Sequence, residues 1–457
     1  MSQHNNQAGA RSSGLMGPVN NFLERWIPSA MTFAMALTLI VALMALALTD
    51  TAPTDIVRFW GNGLSGILAF MTQMCLILLL GHILANTGPV RKVLIALARV
   101  PSRPATAYMF VFVISAVLCF FIWGLGLIAG AVLAREIAVQ GRERGIKLHF
   151  PLLVAAGYSG FIVWHMGYSG SGPLTAATAG SFLSNALGGG TIPVSETIFA
   201  SWNIIAAILV IVVCAALFWL VAPKDGSRVY ELPADVGSEE HSEAKYEVLT
   251  PGDRMDASRI LVFVFGLALL AYLVIHFARG GSITLDIVNW SLLALVLLFT
   301  RNVFELIHLT RNAAGSVGEI LLQFPLYAGI LGIMQHTGLI ALFSSAFVAI
   351  STPQTFGILA FLSAGIVNFF VPSGGGQFAV QGPIMLDAAQ QLGVDPAIAI
   401  MAVAYGDQWT NMLQPFWALP ILAIAGLKMR DILGYTMVTL FGSGVVMIGA
   451  LWLAASL

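Results

Sequence analysis

Charge is the scarcest thing in this sequence. Asp, Glu, Lys and Arg make up 9% of its 457 residues, against about 25% in ordinary soluble domains. A water-exposed surface for a chain of this length cannot be assembled from so few charges. The formal net charge of −1 removes the electrostatic basis for holding nucleic acid. Cysteine is nearly absent too. Cys75, Cys119 and Cys214 sit in apolar stretches without paired spacing, which indicates neither a disulfide framework nor a zinc site. No cofactor or metal is expected. No glycine motif carries the phosphate-loop lysine, so ATP use is not indicated. No short apolar core with a cleavage site opens the chain; the expectation is no cleavable leader, with the first membrane helix directing insertion. What is present is hydrophobic, 58% of residues, at a mean hydropathy of +0.87. Several runs reach the roughly 18–20 residues needed to cross a bilayer as a helix. The reading is an all-α polytopic membrane protein with the lipid bilayer as its solvent.

Clear spanning runs are 29–49, 64–85, 201–221, 260–277, 282–300, 317–336 and 432–457. Two longer apolar regions, 150–186 and 395–427, are interrupted midway. Two others, 104–139 and 355–392, are also interrupted and too short for two full crossings. Residues 224–259 form the one long polar stretch, with 14 charged residues, and read as a solvated linker. Basic residues set the orientation. Arg11 and Arg25 start in the cytoplasm, and Arg91, Lys92, Arg99 and Arg103 return there. The cluster Arg135, Arg142, Arg144 and Lys147 must lie on the same side, which a re-entrant hairpin over 104–139 permits. Continued along the chain, this scheme puts 19 of the 21 Lys and Arg inside and leaves Arg58 and Arg279 outside. The C-terminus is then external.

The two halves echo each other at an offset near 250 residues. Gln73 precedes Thr87-Gly88 by 14 positions, as Gln323 precedes Thr337-Gly338. Phe120-Phe121 matches Phe369-Phe370. Tyr158 and Pro173 match Tyr405 and Pro420, each pair 15 apart. The organisation read from this is a cytoplasmic N-terminus (1–28), a first transmembrane repeat (29–221), a cytoplasmic linker (222–259), a linking helix (260–277) and a second repeat (282–457). Hairpins fall at 104–139 and 355–392, and broken helices at 150–186 and 395–427. The single extra crossing inverts the second repeat. Inverted repeats with discontinuous helices are the architecture of secondary transporters.

Irregular backbone survives at membrane depth only inside protein or beside water. Four breaks are therefore expected to meet near the midplane: 123–126, 165–172 (HMGYSGSG), 372–377 (PSGGGQ) and 407–414 (DQWTNMLQ). Their helix N-termini, small residues and amides suit an anion. The expected substrate-binding residues are Trp123, Gly124, Gly126, His165, Tyr168, Ser169, Ser171, Ser373, Gly374, Gly375, Gly376, Gln377, Trp409, Thr410, Asn411 and Gln414. The absence of Lys and Arg from every break points to a single carboxylate held by dipoles and hydrogen bonds. Trp164, Phe416 and Trp417, with Trp123, Tyr168 and Trp409, could wall a short alkyl chain, or simply pack helices. Asp407 is a charge in an otherwise apolar segment, expensive and functional by default. It is read as the proton carrier or sodium ligand, with His165 as its relay partner; the alternative for both is a structural hydrogen-bonded role. Glu319, near a cytoplasmic helix start, reads as structural, complementing the helix dipole, and His82 and His336, near span ends, read as interfacial. A serine nucleophile at Ser171 or Ser373 beside His165 has no supporting motif, so no enzyme is expected.

The runs WGLGLIAGAVLAREIA (123–138), FFVPSGGGQFAVQGPIM (369–385) and AYGDQWTNMLQPFWALP (404–420) resemble the bacterial short-chain fatty acid transporter family, from about Phe22 to the C-terminus. The resemblance implies an inner-membrane carrier of short monocarboxylates such as acetoacetate or butyrate. It also implies kinship with the wider ion-transporter superfamily, an elevator-type transport domain moving against a scaffold, and a homodimer. By the same match, 373–377 would be a hairpin tip touching substrate and 407–414 the opposing break. The paired Ser-Asn-Thr sodium signatures of the dicarboxylate branch are missing at both tips. The function expected is therefore proton-coupled uptake symport. Sodium coupling, a dicarboxylate or hydroxy-acid cargo, and a passive anion facilitator or channel remain as alternatives.

Overall fold

The structure, a computed structural model, describes residues 30–223, 229–232, 247–315, 317–369, 371–414 and 417–456. Arg11, Arg25, Phe370, Phe416 and half of the linker lie outside them, as do the side chains of Glu319 and Pro420. The described residues form helices and connecting turns. In chain order these are α1 (Ala30–Leu48), α2 (Pro53–Gly63), α3 (Leu68–Ala85), α4 (Gly88–Ala98), α5 (Pro104–Phe121), α6 (Trp123–Glu143) and α7 (Phe150–Ser159). A 3-10 turn (Gly160–Met166) extends α7 and leads to α8 (Ser171–Ala177), α9 (Phe182–Ala186) and α10 (Ser201–Leu220). Then come α11 (Pro251–Asp256), α12 (Arg259–Ala278), α13 (Leu285–Phe299), α14 (Val303–Ala314), α15 (Gly318–Thr337), α16 (Leu339–Ile350), α17 (Pro353–Asn368) and α18 (Gly374–Leu392). Last are α19 (Pro396–Thr410) with a 3-10 turn (Asn411–Leu413), α20 (Leu419–Ala425) and α21 (Met429–Ala454).

Among the described residues, eight helical stretches are long and apolar enough to cross a membrane, and the bent pair α15–α16 could make a ninth. The protein is a multi-pass membrane protein. Burial sorts the stretches. Phe150–Ala177 is wholly enclosed, whereas α1 and α12 have 17% of their spanning windows buried. The apolar surface of α1 and α12 is thus left for lipid, and the broken segment sits at the centre. Around it α5, α6 and α7 pack on one another, as α17, α18 and α19 do, and α10 packs along α21. Helices α3, α13 and α15 line the flank, with α1 and α2 against α15.

Two short amphipathic helices, α2 and α14, were not expected from the sequence. Each begins with helix-starting chemistry: Pro53 at the first turn of α2, and an Asn302 side chain accepting the Glu305 N–H at α14. They escaped notice because their charges and short length break the apolar pattern that marks a span. The backbone of α2 docks on α15 through paired glycines. A Cβ on Gly63 would lie 3.0 Å from the Gly332 Cα. The turn from α15 to α16 bends the path by 81° and needs Gly338, whose φ of 81° is costly for any residue with a side chain.

Two of the expected breaks are misplaced. Residues 123–126 are the first turn of α6; the interruption is the single extended residue Ile122, φ −143° and ψ 98°. The glycines there serve close packing instead. Gly124 lies against Ile77 and Leu78 of α3, and Gly126 against Cys119 of α5. Likewise Asp407–Thr410 stay helical, and the chain first tightens into the 3-10 turn at Asn411. The polarity of that stretch braces α19 against α17 and does not unwind it.

Candidate functional site

The centre of the molecule is a hydrogen-bonded chain between segments 242 positions apart. His165 is the penultimate residue of the 3-10 turn after α7, and Asp407 lies near the end of α19. The imidazole Nδ1 and Asp407 Oδ2 are 2.7 Å apart, both side chains fully enclosed. Ser171 Oγ, at the start of α8, lies 2.9 Å from Nε2, and the Gly172 backbone N–H donates to Nε2 at 3.0 Å. An N–H donor needs a lone pair to receive it, so Nε2 carries no proton. The ring proton is then on Nδ1 and points to Asp407. This tautomer makes Asp407 Oδ2 the acceptor of the ring proton. The His165 main-chain N–H donates to Gln408 Oε1 at 2.9 Å, which ties the two segments a second time.

Asn368, at the end of α17, holds the other side. Its Nδ2 lies within hydrogen-bonding distance of the Asp407 carbonyl (2.8 Å), Thr410 Oγ1 (2.9 Å) and Asn411 Oδ1 (2.9 Å). Gln414 Nε2 donates to the Asn368 carbonyl at 2.6 Å. Several buried polar atoms of this cluster have no hydrogen-bond partner among the described residues: Asp407 Oδ1, Gln408 Nε2, Asn411 Nδ2, Gln414 Oε1 and Asn368 Oδ1. Native interiors keep such orphans rare, so their concentration around one carboxylate marks a place built to receive something polar. Among the described residues no group of His, Cys, Asp and Glu could hold a metal ion in the usual way.

An aromatic wall stands beside the histidine. The Trp164 ring stacks on His165 at 4.0 Å and on Phe161 at 5.2 Å. Trp123 meets Trp164 at 5.7 Å and Trp417 edge-on at 5.3 Å. Trp123 Nε1 and Trp164 Nε1 have no acceptor among the described residues. From the opposite side comes the N-terminus of α18. A Cβ on Gly374 would fall 2.6 Å from Trp164, 2.9 Å from His165 Cε1 and 2.9 Å from Ser171 Oγ. Only glycine lets this helix end approach the site. Ser373 caps the helix by accepting the Gly376 N–H, and the Gln377 N–H bonds the Ser373 carbonyl. The N–H groups of Gly374 and Gly375 are the first-turn donors that helix geometry leaves unused.

The structure thus gathers His165, Ser171, Asp407, Asn411, Gln414, Gly374 and Trp123 around one locus. Others serve elsewhere. Ser169 Oγ accepts the Trp123 N–H and fixes the start of α6. Gly375 and Gly376 lie against Phe70, Phe324 and Tyr327. Gln377 bonds Ala364 O and Gln381, and Thr410 bonds Gly365 O. Tyr168 reaches Ser291 on α13. Trp409 turns away: its Nε1 donates to Leu440 O on α21 and its ring packs on Phe361. Asn368 and Gln408 were not singled out from the sequence. A lone asparagine at the end of an apolar run was the available signal.

A family model described as short chain fatty acid transporter matches residues 14–454. A relative from Escherichia coli K12 is 40% identical over 435 residues, covering 94% of this chain and 97% of its own length. One from Haemophilus influenzae Rd is 35% identical over 445 residues, covering 95% and 98%. The names of both assign them, provisionally, to short-chain fatty acid transport. Among solved structures, the YdaH transporter of Alcanivorax borkumensis, described as having an unusual topology, aligns at a TM-score of 0.60 and 16% identity over 92% of this chain and 98% of its own. MtrF of Neisseria gonorrhoeae, described as illuminating a class of antimetabolite efflux pumps, aligns at 0.59 and 14%, over 94% and 96%. At those identities the likeness is one of fold.

Proposed function

The chain belongs to the short-chain fatty acid transporter family, and on that premise we propose that it is a secondary carrier that takes up short monocarboxylates together with protons held at Asp407. The observation that carries this reading is the buried carboxylate with one committed oxygen and one open one. Asp407 Oδ2 receives the His165 Nδ1–H, whereas Oδ1 has no partner among the described residues. A proton arriving at Oδ1 breaks no existing hydrogen bond. A proton arriving at His165 Nε2 would displace the Gly172 N–H. The substrate carboxylate would sit at the first-turn N–H groups of α18 and the Ser171 hydroxyl, its alkyl chain against Trp164 and Trp123. The same Gly172 N–H argues against hydrolysis, because it occupies the lone pair a general base would need to take the Ser171 proton.

The rest of the reading follows the family. Helices α5–α6 and α17–α18 would be re-entrant hairpins of two inverted repeats, moving as an elevator against a scaffold that includes α3 and α15, in a homodimer of the bacterial inner membrane. The N-terminus would be cytoplasmic and the C-terminus periplasmic. One observation favours a second reading. Three of the orphan atoms are oxygens, Asp407 Oδ1, Asn368 Oδ1 and Gln414 Oε1, the donor type that suits a sodium ion. Uptake of labelled butyrate and acetoacetate into proteoliposomes separates the two, with protein-free liposomes as control because protonated short acids cross bilayers unaided. Uphill uptake driven by an inward proton gradient alone supports proton symport. Uphill uptake that needs sodium at constant pH makes the cluster a cation site. Saturable exchange indifferent to both gradients would end the symport reading.

A further inference from the structure

A second recess lies across three phenylalanine rings from the central site. It encloses about 220 Å³ between the α2–α3 connection, α9 and α15. Its rim carries Asn62, Asn185, Gln335 and His336, all exposed, and its floor includes buried Ile67 and Phe182. Pockets for drug-sized ligands run to roughly 300–1,000 Å³; this one suits a molecule of a few carbons. The rim chemistry is specific. Three amides offer N–H donors to a carboxylate. His336 Nδ1 bonds the Gly332 carbonyl at 2.8 Å, which can only accept, so the neutral ring has Nε2 as an acceptor for the hydroxyl of an undissociated acid.

The floor leads inward. Phe182 of α9 meets Phe70 of α3 edge-on at 5.3 Å, and Phe70 stacks on Phe324 of α15 at 5.8 Å. The trio rests on the tip of α18. A Cβ on Gly375 would lie 2.6 Å from Phe70 and 3.2 Å from Phe324, and the adjoining Gly374 touches His165 and Ser171. Recess, rings, Gly375, Gly374 and His165 are therefore contiguous. Three rings from three separate elements, joined by apolar contact alone, can part without breaking a hydrogen bond. An ordinary core layer would have packed protein on both sides; this one has a polar-rimmed recess on one side and, through Gly374, His165 and Ser171 on the other.

We propose that the recess is an access vestibule that first binds the short carboxylic acid, and that Phe70, Phe182 and Phe324 form the gate between it and the central site. This rests on the carrier reading above. The test uses the full-length protein in proteoliposomes, with cysteine placed in turn at Asn185 and Gln335; native Cys75, Cys119 and Cys214 are buried and give a quiet background. Uptake of labelled butyrate is read on each preparation before and after reaction with a bulky maleimide, and Leu249→Cys in the linker serves as a labelled control. The expected result is at least a tenfold loss of uptake on labelling at either rim position, none at the control, and labelling slowed at least threefold by excess butyrate. A second variant, Phe182→Ala, is expected to raise downhill butyrate flux at least threefold and to lower uphill accumulation. Complete labelling with uptake unchanged would overturn the vestibule alone, and unaltered flux in Phe182→Ala would overturn the gate. A wild-type protein that moves no butyrate would overturn the carrier reading and the vestibule with it.

Discussion

Asp407 stands apart because its environment leaves it half used. A carboxylate taken out of water must be compensated by hydrogen bonds or by a counter-ion. Here the compensation is one histidine N–H, with backbone bracing from Asn368 that holds the segment without touching the second oxygen. Substitution by asparagine keeps the shape and an oxygen for the His165 Nδ1–H but removes the charge. Asp407→Asn is therefore expected to elute and melt like the wild type while losing gradient-driven accumulation by at least tenfold in the proteoliposome assay. Retained uphill uptake would remove Asp407 from coupling. His165, Asp407 and the small residues near them were visible in the sequence as costly polar groups in apolar surroundings. Their pairing was not, because residues 242 apart carry no spacing signal. Trp409 shows the converse: a tryptophan two positions from Asp407 on the chain faces another helix.

At the scale of the element, glycine decides how closely helices approach. Gly160 meets Ser115 and Ala116 on α5, and Gly406 meets Phe361 and Ala364 on α17. On α6 the case is Gly126, where a Cβ would lie 2.5 Å from the Cys119 backbone nitrogen. Main chain cannot yield as a side-chain tip can. Gly126→Ala is expected to cost about 1–3 kcal/mol or more, read as a lower thermal unfolding midpoint in detergent. Gly449→Ala on α21 has nothing within 4 Å and is expected to be neutral or to stabilise by up to about 1 kcal/mol. Equal effects at the two sites would refute this account of α6. The glycines of 123–126 were conspicuous in the sequence, but periodicity cannot separate a glycine that ends a helix from one that lets a helix touch its neighbour.

For the whole molecule, the two broken helices brace each other. Tyr158, on α7, donates to the Asn411 carbonyl at 2.7 Å, and Tyr405, on α19, donates to Asn203 Oδ1 at 2.8 Å. Asn203 in turn bonds the Met166 carbonyl, and Thr436 on α21 bonds that of Met412. The carbonyls freed at each interruption are thus satisfied from the other broken helix and from α10 and α21. The polar linker is also tied to this bundle. The Tyr230 N–H donates to His149 Nδ1 at 3.0 Å, the Phe150 N–H returns to the Tyr230 carbonyl at 2.8 Å, and Leu232 is buried. Burial pushes the His149 imidazole below its ordinary pKa. The docked linker therefore favours the neutral ring: docking is complete above the free-histidine value of about 6.5 and weakens as pH falls through the lowered one. A spin label at Glu231→Cys is expected to gain mobility between pH 7.5 and pH 5, and His149→Gln, which keeps an acceptor without titrating, is expected to remove that dependence. Mobility unchanged with pH would exclude the His149 latch.

The sequence by itself determined the solvent, the helical class and the family. These follow from composition and from long, contiguous motifs, and hydrocarbon permits a spanning helix only when its own backbone satisfies every polar group. It also pointed to the neighbourhood of the interruptions, since Gly, Pro and polar residues in apolar runs are local signals, but misplaced two of the four. Tertiary structure alone decided where α6 begins, that Asp407 stays helical, that His165 holds its proton on Nδ1, and that Asn368 completes the cluster. Each depends on a group brought in from another part of the chain, whether a serine hydroxyl, a glycine N–H or an amide, and hydrogen bonds at 2.7–3.0 Å are geometric facts that no pattern along one strand of sequence encodes.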